Sequence, residues 1–423
     1  MVLSMPARRL RILFLASYFP KPDNALMGTW ALTQAQAIAR QDVDLQVISF
    51  TSWVPKAIAK TTGAKAYANC PDRYTWPNGL EAHYPRWLYY PIPPLKQWAY
   101  KNPIPYQRLA ARSALPKFCE AIDSFQPDVI FCHHSLPNGW LVAQLPSQFH
   151  QPLIVQEHDF DEIADCHRYP QRKAAMQQVI DRASVMLTVS QRMANDLGTL
   201  FPQARIQIAH NGVHLPPPEL QSTPRPDALK DKVILLACAL FAERKGIPVL
   251  IEAFDRVADR YPHAILRIIG SGPAEAEIQA TVARSTHQAA IQLVGKKLHS
   301  EVLQEMLWAD CFALVGWDEP FATVYLEAMA AGKPIICCDD GGITDVVKNG
   351  VQGYTVPPRS IEATAEAIDR MLSNPAQRMQ MGQNAQQLIE QHLTWDVKAK
   401  ELIQLMEAAV SSSKPMSRSI AER

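Results

Sequence analysis

The sequence predicts an α/β fold with two doubly wound parallel sheets, and three observations predict it. Short apolar runs alternate with helix-length stretches; bounded by Gly, Pro and polar turns, such runs read as strands buried on both faces. A strand–helix–strand unit opens the chain at residues 11–49 and another lies at 311–338, the signature of parallel pairing through a crossover helix. A Pro-rich stretch, Pro216 to Pro226, reads as a linker between the two series. The 423 residues suffice for two or three domains. We expect a first domain over 1–215, a second over 216–392, and a last helix with a frayed tail over 393–423.

In chain order, Arg11–Ala16 is a buried strand. It leads through Ser17-Tyr18-Phe19-Pro20 to a loop ending at Gly28, then a helix from Trp30 to Ala39 and a strand from Leu45 to Ser49. Gly-x-Gly-x-x-Gly is missing from this first turn, so a dinucleotide fingerprint is absent there. Residues 53–108 hold many Pro, Trp and Tyr, including Pro85 to Tyr90 and Pro91 to Pro94, with basic residues interleaved. No single regular element tolerates that many prolines. Aromatic faces beside cations suit sugar stacking or a membrane interface, and a packed excursion over the sheet edge is the plainer reading. A helix from Arg108 to Ser124 follows. The strand Asp128–Cys132 ends in His133-His134-Ser135, and the strand Leu153–Gln156 ends in Glu157-His158-Asp159. A histidine at the carboxyl end of a parallel strand is placed for chemistry. His158 is the candidate, and His133 reads as a structural histidine.

The second series opens with the strand Val233–Ala239. Its following loop carries Arg244 and Lys245, a fork and a point charge suited to clamping a diphosphate. Ile265–Ile269 is a strand ending in Gly270-Ser271-Gly272, a partial glycine motif. Cys311–Val315 is a strand, Gly316–Pro320 a polar loop, and Thr323–Ala331 a short helix with Thr323 as N-cap, Gly332 at its end and Pro334 beyond. Glu319 lies on the loop and Glu327 about one turn into the helix. The helix start at Phe321, Ala322 and Thr323 offers N–H groups to a phosphate. Glu327 is placed to accept from both hydroxyls of a ribose. The bland alternative is an ordinary strand–helix–strand unit with a solvated Glu319 and a surface Glu327.

The Glu-x7-Glu spacing of Glu319 and Glu327, together with Glu-Pro-Phe, Glu-Ala-Met-Ala-x-Gly-x-Pro and Asp-Gly-Gly-Ile in order, resembles the retaining nucleotide-sugar glycosyltransferases of family four. That resemblance implies the GT-B fold: two Rossmann-like doubly wound domains facing across a cleft, with a C-terminal helix crossing back. It implies acceptor binding in the first domain and a nucleotide-diphosphate sugar in the second. It places Glu319, His158, Lys245 and Arg244 in catalysis, and Glu327, Gly28, Gly270, Phe321, Ala322 and Thr323 in donor binding. Gly28 reads equally as a plain loop glycine. Retention in this family is described as front-face attack, the leaving phosphate taking the acceptor proton. Asp159-Phe160-Asp161 spells the metal motif of a different glycosyltransferase fold, but here it trails a strand-end histidine, so neither metal nor cofactor is expected. Leu240 stands where the family has Arg, Val315-Gly316 replaces Pro-Ser, and Ala322 stands where Gly is usual; a positive φ there would cost Ala about 1 kcal/mol.

A net charge of +1 argues against wholesale nucleic-acid binding. No run approaches the roughly 18 apolar residues of a membrane span. Eight scattered cysteines without Cys-x-x-Cys, with Cys238, Cys311, Cys337 and Cys338 in predicted buried strands, point to a reducing, cytoplasmic compartment. The expected partners are a nucleotide-sugar donor and a glycan, lipid-linked or small-molecule acceptor, with peripheral contact to the inner membrane face compatible with the aromatic excursion. A non-catalytic partner subunit and a sugar-nucleotide epimerase on the same fold are the alternatives; a phosphorylase-like enzyme is a third.

Overall fold

The computed structural model describes residues 8–24, 28–77, 79–89 and 95–413. Tyr90 to Pro94 of the aromatic excursion and residues 414–423 of the tail lie outside the described residues. The chain divides into two compact units. One holds residues up to 189, residues 193–209 and those from 398 on; the other holds 190–192 and 210–397.

The first unit is built on β1 (Leu10–Leu15), β2 (Val43–Ile48), β3 (Thr51–Ser52), β4 (Arg73–Thr75), β5 (Glu81–His83), β6 (Arg86–Trp87), β7 (Val129–His133), β8 (Leu153–Glu157), β9 (Val185–Thr188) and β10 (Ile206–Ile208). The main sheet runs β10-β9-β8-β7-β1-β2-β5-β4, parallel except for β4 against β5. Ile12 to Leu15 and Val129 to Cys132 are wholly buried, which explains their unbroken apolar runs. The chain leaves β1 for β2 on one side and returns to β7 on the other. The topological switch point therefore lies between the carboxyl ends of β1 and β7, where ligands bind in open α/β sheets.

Residues 53–108 resolve into short pieces: a turn at Lys56–Ile58, a helix at Thr62–Asn69, the strands β4 to β6 and a helix at Leu95–Lys101. The helix expected from Arg108 begins earlier, at Pro103, because Pro103 sits in its first turn where a missing N–H costs nothing. Two helices, Phe160–Arg168 and Pro170–Arg182, follow β8.

The second unit contains β11 (Val233–Leu240), β12 (Ala264–Ser271), β13 (Ile291–Gly295), β14 (Cys311–Leu314), β15 (Ile335–Cys338) and β16 (Gly353–Val356) in one parallel sheet, ordered β13-β12-β11-β14-β15-β16. Its switch point lies between β11 and β14. The entering segment at Val213 bridges the leaving segment at Thr394, with Val213 N donating to Leu393 O and Trp395 N to Val213 O. The last helix, Trp395–Ser413, starts here, and its residues from Lys398 on group with the first unit. Cysteines 311, 337 and 338 are buried, whereas Cys238, near the end of β11, is only half-buried. All eight cysteines are free thiols.

Candidate active site

The second unit's switch point gathers the loops after β11 and β14. Trp317 N donates to Arg244 O at 3.0 Å, tying one loop to the other. Lys245 Nζ and Arg244 Nη1 then donate to one oxygen, Oε1 of Glu319, at 2.6 and 2.8 Å. Glu319 is 3% exposed, while the Arg244 side chain is about half exposed. Its backbone is held as well, since Gly342 N donates to Glu319 O at 2.9 Å. Burial pushes the Lys245 pKa down, and the carboxylate beside it does not restore it. Desolvation thus outweighs the ion pair at Lys245, and a buried pair of this kind adds little to stability.

Neighbouring residues continue the site. Phe321 is buried and stacks on His210 with centroids 4.9 Å apart, and His210 Nε2 lies 3.1 Å from Asp345. Thr323 is the first residue of the helix Thr323–Ala330, so the expected cap is one residue late. The cap is Ala322 (φ −66, ψ 119), whose extended backbone holds the boundary and whose side chain has no oxygen to donate to. With φ negative, alanine there carries no left-handed strain, so this departure from the family pattern costs nothing. Asp318 instead takes the positive φ, 53°, its N–H reaching Asp340 Oδ2 at 3.2 Å and its carboxylate Arg192.

Glu327 Oε1 lies 2.9 Å from Nε2 of His299, the first residue of the helix His299–Trp308. This bond raises the His299 pKa. Nothing local in the sequence marks His299. Gly270, at the end of β12, has φ 150°, and a Cβ there would lie 2.0 Å from Ala239 O. The glycine is required by the close approach of β11. Lys297 is spent inside the unit on Glu305, which also takes Arg267.

Gly28 and His158 belong to the first unit. Gly28 (φ 78°) caps the helix Thr29–Ala39, and a Cβ on it would lie 2.2 Å from Tyr18 O, so a side chain is excluded. The first turn of that helix carries Trp30, whose ring lies 6.3 Å from that of His158. His158 follows β8, its ring 4.6 Å from His133 and 5.3 Å from His134. Burial, then the two neighbouring imidazoles, hold its pKa well below the ordinary histidine value, so it is neutral at pH 7. His133 is buried against Gln34. Glu157 is buried too, accepting from Ser135 N, and burial pushes its carboxyl up to about 8. His134 holds a strained φ of 64°. His134 Nε2, Ser135 Oγ, Glu157 Oε2 and His158 Nε2 are buried with no hydrogen-bond partner among the described residues. Buried polar atoms without partners are rare in folded proteins. Sequence reasoning found only His158 of this set.

Two families match: Glycosyltransferase Family 4 over residues 27–215 and Glycosyl transferases group 1 over residues 221–388. The TuaC protein of Bacillus subtilis (strain 168), named for a teichuronic acid biosynthesis glycosyltransferase, is 26% identical over 85% of this chain and 89% of its own. Sucrose-phosphate synthase from Thermosynechococcus elongatus superposes with a TM-score of 0.74 at 20% identity, over 96% of this chain and all of that one. Anabaena Alr3699/HepE, solved with UDP-glucose, superposes at 0.66 and 17%, over 95% of this chain and all of that one. A two-sheet α/β protein with a carboxylate and two cations at its second switch point is the class that fold and site define. The chain belongs to the glycosyltransferases of the family-four type, with the GT-B fold.

Proposed function

We propose that the protein transfers a sugar from a nucleotide-diphosphate sugar to a glycan, lipid-linked or small-molecule acceptor, with retention and without metal or cofactor, in polysaccharide or glycoconjugate biosynthesis. The observation that carries this reading is Glu319 Oε1 receiving both Lys245 and Arg244 at the second switch point. Lysine has three donors and arginine five, so both keep N–H groups for diphosphate oxygens while holding the carboxylate. Glu327 accepts from the ribose, and the Phe321–Thr323 helix start and the close turn at Gly270 receive the rest of the donor. As the bond from the anomeric carbon to the phosphate oxygen breaks, its electron pair stays on the diphosphate. Lys245 and Arg244 stabilise that charge, and Glu319 steadies the positive charge on the sugar. The acceptor oxygen bonds the same face of the anomeric carbon, and its proton passes to the leaving phosphate. His158, neutral, holds an acceptor or sugar hydroxyl, with Gly28 close by in the same unit.

The named activity of TuaC and the UDP-glucose complex of Alr3699/HepE support a nucleotide-sugar donor and a polysaccharide setting. The protein acts in the cytoplasm, in peripheral contact with the inner membrane face, and nucleic acid is not a partner. Among the described residues no helix is long and apolar enough to cross a membrane. The test is a screen of nucleotide sugars and acceptors with the product anomer read by NMR. An α-linked donor giving an α-linked product is expected, and an inverted product overturns retention.

A further inference from the structure

We infer that Arg192 is a positioning residue for the transfer reaction: it pins the loop 316–320 and so aims Glu319. The inference rests on the role proposed above for Glu319 and adds the residue that sets its orientation. Ser190, Gln191 and Arg192 group with the second unit. Their polar atoms go to the loops that flank Glu319. Arg192 Nη2 donates to Asp318 Oδ1 at 2.5 Å. Its Nη1 donates to Asp340 O at 2.7 Å and lies 3.6 Å from Asp340 Oδ2. One guanidinium thus spans the loop after β14 and the loop after β15, which suits a planar fork and not a compact ammonium.

The two residues before it meet the same region. Gln191 opens the helix Gln191–Leu200, whose first N–H groups need acceptors, and its N donates to Asp345 Oδ2 at 2.6 Å. Ser190 abuts Gly342, where a Cβ would lie 2.6 Å from Ser190 Cβ and 1.8 Å from Pro320 O. Gly342 N is the donor to Glu319 O.

The loop needs such a pin. Asp318 sits at φ 53°, a left-handed conformation that aspartate tolerates without preferring it. Its N donates to Asp340 Oδ2, so the turn brings two carboxylates together. Burial raises the Asp340 pKa, the Asp318 charge adds to the rise, and Arg192 opposes it. Without the guanidinium the two carboxylates repel, and the strained residue next to Glu319 loses its restraint. The Arg192 and Asp318 side chains are 39% and 54% exposed, a setting in which an ion pair adds little to stability. Aim is another matter, because a displacement of about 1 Å at a reacting centre can cost about 100-fold in rate.

The test compares wild type with Arg192→Ala, Arg192→Lys and Asp318→Gly in the full chain. Melting temperature, hydrogen exchange of the loop 316–320 without nucleotide, and transfer kinetics with the donor found in the screen above are measured. Arg192→Ala should lower kcat by about 100-fold while donor KM stays within about twofold, because the diphosphate and ribose groups are untouched. Its melting temperature should hold, and its loop should exchange faster. Arg192→Lys, able to reach one loop or the other, should fall between. Asp318→Gly accepts the backbone angle but loses the bond to Arg192, so it should also lose kcat. Unchanged kcat and loop exchange in Arg192→Ala, or a loss of kcat matched by a fall in melting temperature in every variant, overturns the inference. A wild type that turns over no nucleotide sugar overturns the transfer reading and this inference together; an active wild type with equally active variants overturns this inference alone.

Discussion

Lys245→Ala and Glu319→Gln, made singly and together, test whether the switch-point cluster is one coupled unit. A hydrogen bond to a charged group is worth about 1.5–3 kcal/mol when the partner is buried. Glu319 is 3% exposed and Lys245 Nζ lies 2.6 Å from it, so the coupling between them should be about 2 kcal/mol. The single variant Lys245→Ala should lose less, roughly 1 kcal/mol, for two reasons. Removing a desolvated ammonium relieves the burial that lowers its pKa, and Arg244 still bonds the carboxylate. Urea unfolding of the four proteins at pH 7, without nucleotide, gives the cycle. A coupling within about 0.5 kcal/mol of zero would mean the two side chains act independently and would refute the reasoning.

Three further outcomes are expected. Gly28→Ala should destabilise the first unit by at least about 1 kcal/mol, because φ is 78° and the new Cβ meets Tyr18 O at 2.2 Å; an unchanged melting temperature would contradict this. Glu157→Gln should become more stable relative to the parent as pH rises from 5 to 9. Burial raises the Glu157 pKa to about 8, so the folded form keeps a proton that the unfolded form sheds, and parent stability falls across that window; parallel melting curves would contradict it. His299→Ala should cost stability at pH 6 and nothing at pH 9. The raised His299 pKa means the Glu327 pair is fully present below the unfolded histidine value and lost as pH rises through the folded one. His299 is mostly exposed, so the effect stays below about 1 kcal/mol.

The strands were legible because parallel strands buried on both faces read as unbroken apolar runs, as at Ile12–Leu15 and Ile335–Cys337. Glu319, Arg244 and Lys245 were legible as residues on strand-end loops. Their convergence on one oxygen was not, because 74 positions separate Lys245 from Glu319 and no local pattern encodes a pair across a sheet. His299 was invisible for the same reason, 28 positions from Glu327. Thr323 misled because its hydroxyl is the usual capping group, whereas backbone geometry put the boundary at Ala322. The two helices after β8 were not read from the sequence, although the first is amphipathic, with Ile163 and Cys166 turned inward. The orphaned set at His134, Ser135 and Glu157 depends on burial, which only the packed sheet defines.

Donor binding to the second unit is the central claim, and a thermal-shift panel of nucleotide-diphosphate sugars against wild type, Lys245→Ala and Glu327→Ala tests it most directly. At 100 times its dissociation constant, the right donor should add roughly 2.7 kcal/mol to wild-type stability. It should shift neither variant, and slow donor hydrolysis should appear with wild type alone. If no diphosphate-bearing compound shifts wild type, or if both variants shift as far as wild type does, Glu319, Lys245, Arg244 and Glu327 do not form a donor site.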